Sequence, residues 1–378
     1  MLHFRMPQIG ACDRVPSAKI RRLAFAAAVV PCLLVVQGCT GTTSSVTSTG
    51  SLTAYVTNAE DNGKRLGMGT VIPINLTDGV PSTPIQIGQG TGTNDMVITS
   101  DGKTGYVTNE GTNSVTRIDL SSGEVGAPIT VGSEPVAIAF VPQTNEQWAW
   151  VANYKGQTIS TVNLATGKVG QTFAVPHAGP NTVAFTPDGR TCYVANWGTT
   201  DAAGSTVTPI QVTDGGATGR VLPSIKVGLN PNWVAITKDG STAYVVNKGS
   251  GSLTPINVMT STVGTAIQLS GPPIEMEIAP NGNTAYVAIA GSSPQVDAIT
   301  PIDLTTTPVT VGPVIPLAAK SQPHWIAFTP DGQTAYVVGN GNSTLTPITV
   351  ASGLPGTPIL VTKDKDSDLL AIVITPGR

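Results

Sequence analysis

The 378-residue chain contains 42 Gly and 30 Pro but only 11% charged residues, and its formal net charge is −3. That composition favours strands and tight turns over surface helices, and the length suits one repeat array as readily as two or three domains. With no Lys/Arg stripe, the chain lacks the electrostatic footprint of a nucleic-acid binder.

The first element in chain order is a leader. Lys19, Arg21 and Arg22 precede the apolar run of residues 23–36, which is too short to span a bilayer as a mature helix, so residues 1–38 read as a signal peptide for general secretion. The run ends in Val36-Gln37-Gly38-Cys39, which resembles a bacterial lipobox. The resemblance implies cleavage before Cys39, a diacylglycerol on its thiol and a membrane-anchored lipoprotein of the cell envelope. Ordinary secretion is the alternative. Cleavage there removes five basic residues and one acidic residue, leaving 15 and 22 and a net charge near −7. Residues 39–50, rich in Gly, Ser and Thr, form a flexible tether. Cys12 and Cys32 leave with the leader, and Cys192, in a strand position, reads as a small buried hydrophobe.

From residue 51 to 378 one unit repeats. Its strand B, TAYVVN in one copy, places an aromatic at Tyr55, Tyr106, Trp150, Tyr193, Tyr244, Tyr286 and Tyr336. Strand A precedes it, as in residues 231–237, separated by an Asp-Gly turn such as Pro187-Asp188-Gly189. Strand C follows as SLTPINV, and strand D as in residues 127–132. The first strand B has no strand A before it, while residues 369–377 have the pattern of strand A and nothing after them. Pairing of the two ends closes seven four-stranded antiparallel blades into an all-β ring and removes the exposed sheet edge.

The YVTN and YVAN strings, the PDGxTAYVxN pattern and the LTPI strand resemble the bacterial YVTN-repeat β-propellers, secreted or surface-attached proteins, over residues 52–378. The resemblance implies the fold. Similar rings include binding and adhesion modules as well as propeller lactonases, so it implies less about activity.

Strand alternation assigns the faces. The A-to-B and C-to-D turns lie on one, the B-to-C loops and D-to-A connections on the other. Intervals of 51, 44, 43, 51, 42 and 50 between successive aromatics trace to long B-to-C loops at residues 59–70, 197–205 and 290–298, all on the second face. Insertions gathered on one face of a repeat array mark a binding face. The same face holds two aligned slots at the start of strand A: Asn94-Asp95, Val136-Ala137, Asn181-Thr182, Asn232-Trp233, Ile274-Glu275, His324-Trp325 and Leu370-Ala371. Ring packing does not require Trp, Glu, Asp or His where other blades carry Val-Ala. Asn94, Asp95, Asn181, Asn232, Trp233, Glu275, His324 and Trp325 are therefore ligand candidates, with Trp197 at the head of the second long loop. The alternative is that Trp233 and Trp325 plug the channel and the polar groups bind only water.

Other patterns read as structural. The strand-end residues Asn58, Asn109, Asn153, Asn196 and Asn247 suit a strand turning into a loop. Asp364, Asp366 and Asp368 lack the Gly and Glu of a calcium loop. His177 and His324 belong to non-adjacent blades, so no metal and no cofactor is implied. The expectation is a non-catalytic, monomeric, extracytoplasmic binding or scaffold protein that presents this face to a protein, peptide or glycan. The alternative is a lactonase-type hydrolase using Glu275 and His324 as acid and base, although no arginine accompanies them in the aligned slots.

Overall fold

The computed structural model describes residues 52–59, 67–176, 179–199, 202–291, 297–364 and 367–375. The leader, Cys39, the tether of residues 39–50, His177, Asp366 and parts of the three long loops lie outside them.

Seven antiparallel blades form the ring, with strands A of neighbouring blades packed against one another in an unbroken circle. Blade 5 shows the plan: strand A is Pro231–Ile236, B is Thr242–Asn247, C is Ser252–Asn257 and D is Ile267–Gln268. In blade 1, strand A is the C-terminal Leu369–Ile374, which pairs with Thr53–Asn58 and sets Val373 opposite Tyr55. This is the closure that the repeat count predicts.

Strand B is buried on both sides because each sheet lies between two others. Val245 and Val246, which point to opposite faces, are both fully buried. Seven apolar clusters each join neighbouring blades, one running from Tyr286 and Ile299 of blade 6 to Ile326, Phe328 and Val337 of blade 7. The A-to-B turns repeat one device. In blade 4 the Thr186 hydroxyl donates to Asp188 over 2.6 Å, the same carboxylate accepts the Arg190 N–H, and Gly189 takes φ +69°.

Strand D departs from the expectation of one continuous strand. In blade 7 it is split into Leu354–Pro355 and Ile359–Leu360, and in blade 6 into Thr310–Val311 and Ile315–Pro316. Pro358 and Pro313 stand in the gaps, where a residue without an N–H cannot continue a ladder. Strand D of blade 3, Lys168–Ala174, contains no proline and runs unbroken. The breaks leave the outer rim with short edge strands that resist edge-to-edge pairing.

Candidate functional site

Every strand A carries a β-bulge where it meets strand B, and the extra residue is the first of the two aligned slots. In blade 5, Pro231 opposes Asn247 and Trp233 opposes Val246, which leaves Asn232 unpaired. A bulge re-aims its side chain. The seven bulged residues, Asn94, Val136, Asn181, Asn232, Ile274, His324 and Leu370, all line one cavity of about 980 Å³ at the mouth of the central channel.

Much of the polar surface in this inner ring is already used between blades. Asn181 Nδ2 donates to the Asn232 carbonyl and side-chain oxygens, both over 3.0 Å, and Asn232 Nδ2 donates to the Ile274 carbonyl over 2.5 Å. Asn94 Nδ2 lies 3.3 Å from Glu110 Oε2 within its own blade. The amides of Asn181 and Asn232, read from the sequence as ligand candidates, are committed to a belt that ties blades 4, 5 and 6 at the mouth. His324 joins the belt through Nδ1, 3.1 Å from the Leu370 carbonyl. A carbonyl only accepts, so Nδ1 carries the proton and Nε2 keeps a free lone pair. Burial holds the imidazole below its ordinary value of 6.5, and it is neutral at pH 7.

The second slots diverge. Trp233 and Trp325 come from blades 5 and 7, yet their rings meet edge to face with centroids 4.6 Å apart. Both residues line the cavity. Glu275 of blade 6 is between them in the repeat, 1% exposed, and its Oε2 accepts the Ile326 N–H over 2.6 Å. Oε1 has no partner. Desolvation, reinforced by the neighbouring Glu277 carboxyl, raises the Glu275 pKa well above the carboxylate range. A neutral Glu275 therefore carries a proton with nothing to donate it to. Asp95 occupies the equivalent place in blade 2 but does not line the cavity. Its two oxygens accept the Met96 and Ile138 N–H groups over 2.7 and 2.9 Å, and burial pushes its pKa up to about 7.

A second ring surrounds the first. The residue after the strand-end Asn donates its N–H to a carbonyl of the preceding D-to-A connection: Glu110 to Gly92, Tyr154 to Glu134, Trp197 to Gly179 and Lys248 to Asn230. Of this column the sequence reading named only Trp197. Glu110, Tyr154 and Lys248 also line the cavity, and aligning the repeats one residue beyond strand B brings them into register. Lys155 beside them is paired with Glu134 at 3.0 Å. Asp368, from the loop with alternating aspartates, also lines the cavity and accepts from Asn340 Nδ2.

The arrangement offers a lone-pair base, a neutral acid and aromatic surface around one cavity, with Glu275 and His324 brought to the same wall. Comparison with known proteins bears on what that chemistry serves. Residues 196–353 match the family model described as lactonase, 7-bladed beta-propeller. No curated protein matches the chain. Among solved structures, the periplasmic gluconolactonase PpgL of Pseudomonas aeruginosa aligns with TM-score 0.68 and 16% identity, over 87% of this chain and 100% of that one. A proposed 6-phosphogluconolactonase of Bacteroides fragilis aligns at 0.67 and 16%, over 87% and 99%. Hydrazine synthase of Kuenenia stuttgartiensis aligns at 0.60 and 20%, over 74% and 85%. At such identities the likeness is one of fold.

The family match corrects two expectations, that the chain is a non-catalytic binding scaffold and that it is not an enzyme. It favours the lactonase alternative. The matched segment contains Trp197, Asn232, Trp233, Glu275, His324 and Trp325, and excludes Asn94, Asp95 and Asn181. No arginine stands in the strand A slots, and the cavity-lining cation Lys248 comes from the position just after the strand-end Asn247.

Proposed function

We propose that the chain is a lactonase-type hydrolase that opens sugar lactones at the channel mouth. The observation that carries this reading is the pairing of opposite protonation states in one cavity wall: His324, neutral with Nε2 free, and Glu275, neutral with an unpartnered carboxyl oxygen. His324 Nε2 takes a proton from the attacking water as its oxygen bonds to the lactone carbonyl carbon. The ring C–O bond then breaks, and the departing alkoxide receives the proton of the Glu275 carboxyl. His324 returns its proton to Glu275 through solvent, and the net change is lactone plus water to hydroxy acid. Trp233, Trp325 and Trp197 supply apolar faces for the C–H surface of a sugar ring.

The charge of the wall bears on the charge of the substrate. Among the described residues it contains no arginine, and the ammonium of Lys155 is taken by Glu134. Glu110 and Asp368 bring carboxylates to the wall beyond that pair. A neutral aldonolactone fits this field better than a phosphorylated one. The test is a pH-stat measurement of lactone opening by the full chain against the spontaneous rate. D-Glucono-1,5-lactone should be opened with a higher kcat/KM than its 6-phosphate, and Glu275→Gln should lower kcat by about 10²-fold or more. No acceleration with any sugar lactone refutes the reading.

We further propose export and anchorage through Cys39, supported by the leader and the Val36–Cys39 pattern. Cys39→Ser should move the protein out of the membrane fraction, and unchanged partition would count against the anchor.

A further inference from the structure

The proposed reaction creates an anion that the amides of the inner ring, already hydrogen-bonded to protein oxygens, are not free to stabilise. When water adds to a lactone, the carbonyl oxygen becomes an alkoxide, and stabilising that charge is a large part of catalysis in acyl transfer. The belt amides of Asn181 and Asn232 are bound to protein oxygens, His324 Nδ1–H is bound to Leu370, and Lys155 is paired with Glu134. One cation on the cavity wall stands apart. Lys248 makes no ion pair among the described residues, and its ammonium lies 5.5 Å from the centre of the Trp197 ring.

Its position is fixed from behind. The Lys248 N–H donates to the Asn230 carbonyl and the Gly249 N–H to the Leu229 carbonyl, each over 3.0 Å. Asn230 has φ +48° and donates through Nδ2 to the Trp197 carbonyl over 3.1 Å. One residue thus ties the backbone of Lys248 to that of Trp197, the kind of support that sets where two side chains start from. Partial burial lowers the Lys248 pKa, so the ammonium is only partly solvated, and its charge reaches His324, whose pKa it helps to lower.

We infer that Lys248 is the oxyanion-stabilising residue of this site, donating ammonium N–H bonds to the lactone carbonyl oxygen as it becomes an alkoxide and then to the product carboxylate. The inference rests on the lactonase reading. In the balanced step, water adds to the carbonyl carbon, His324 Nε2 receives the water proton, and the carbonyl π electrons move onto the oxygen held by Lys248. They return as the ring C–O bond breaks, and Lys248 gains and loses no proton. The charge complement also decides the substrate: a lysine needed at the reacting carbon is not available to anchor a remote phosphate.

The test compares wild-type full chain with Lys248→Met and Lys248→Arg, each checked for an unchanged Tm. It measures kcat and KM for D-glucono-1,5-lactone and for its 6-phosphate, and calorimetric binding of D-gluconate. For the unphosphorylated lactone, Lys248→Met should lower kcat by about 10²–10³-fold with little change in KM, and Lys248→Arg should recover part of the loss. Gluconate binding should weaken at least tenfold in Lys248→Met. An active wild type with Lys248→Met within twofold in kcat overturns the inference and leaves the lactonase reading intact. A loss confined to KM for the phosphorylated substrate also overturns it, by making Lys248 a phosphate anchor. If the wild type opens no lactone, the lactonase reading falls, and the inference falls with it.

Discussion

At the scale of single residues, the chain concentrates its exceptions in a few positions of a regular repeat. Where Ala139, Ala184, Ala235 and Ala327 stand in other blades, blade 6 carries Glu277, and burial pushes its pKa up to about 7. A carboxyl whose pKa is raised on folding favours the folded state below the unfolded value near 4.5, and this contribution is lost as pH rises through about 7. Glu277→Gln should therefore raise Tm by a few degrees at pH 8 and leave it unchanged at pH 4, as thermal melts at both pH values would record. An equal shift at both values would place the effect in packing instead of ionisation. Catalysis has its own dependence. His324 must be neutral and burial holds its pKa below 6.5, so the acid limb of kcat/KM should lie below pH 6.5, while loss of the Glu275 proton adds an alkaline limb displaced upward from the ordinary carboxylate range. An acid limb above pH 6.5 would remove His324 as the base. The slot residues were legible in the sequence because the repeat aligns them column by column. Their protonation states were not, since these depend on the burial of Glu275 beside Glu277 and on the Leu370 carbonyl that selects the His324 tautomer.

At the scale of elements, strands B and C followed directly from the TAYVVN and LTPI patterns. Strand D did not, because prolines such as Pro313 and Pro358 divide it. The bulge in strand A was also hidden, since it is a property of register between two strands and leaves no mark in either alone. Yet the bulge turns Asn94, Asn232 and His324 toward the cavity. The strand-end asparagines were read as structural, and Asn247 Nδ2 does donate to the Thr254 hydroxyl of strand C over 2.8 Å. The D-to-A connection of blade 5 makes the element-scale prediction. Asn230→Gly tolerates the same positive φ but removes the bond to the Trp197 carbonyl. It should leave Tm nearly unchanged while lowering kcat several-fold and shifting tryptophan emission. Unchanged kcat and emission would show that this bond has no part in positioning Trp197 and Lys248.

At the scale of the whole molecule, closure is what allows a decorated mouth to exist. The apolar cluster at the seam joins Val338 and Leu345 of blade 7 to Val56, Ile72 and Ile372 of blade 1. Ile372→Ala should cost about 2–5 kcal/mol, as for other buried aliphatic truncations. Deleting residues 369–378 should lower Tm far more than trimming residues 40–50, and equal losses would contradict closure through the C-terminal strand. The ring was legible from seven copies of strand B and one displaced strand A, because spacing alone counts the blades. The activity proposed was not, because the residues it needs, Trp197, Trp233, Lys248, Glu275, His324 and Trp325, come from four blades, and no contiguous motif contains them. The most direct measurement is the rate at which the full chain opens D-glucono-1,5-lactone, set beside that of His324→Asn at equal Tm. Wild type should exceed the spontaneous rate, with His324→Asn lower by about 10²–10⁴-fold. A wild-type rate no greater than buffer, or a His324→Asn rate equal to wild type, would contradict catalysis at the channel mouth.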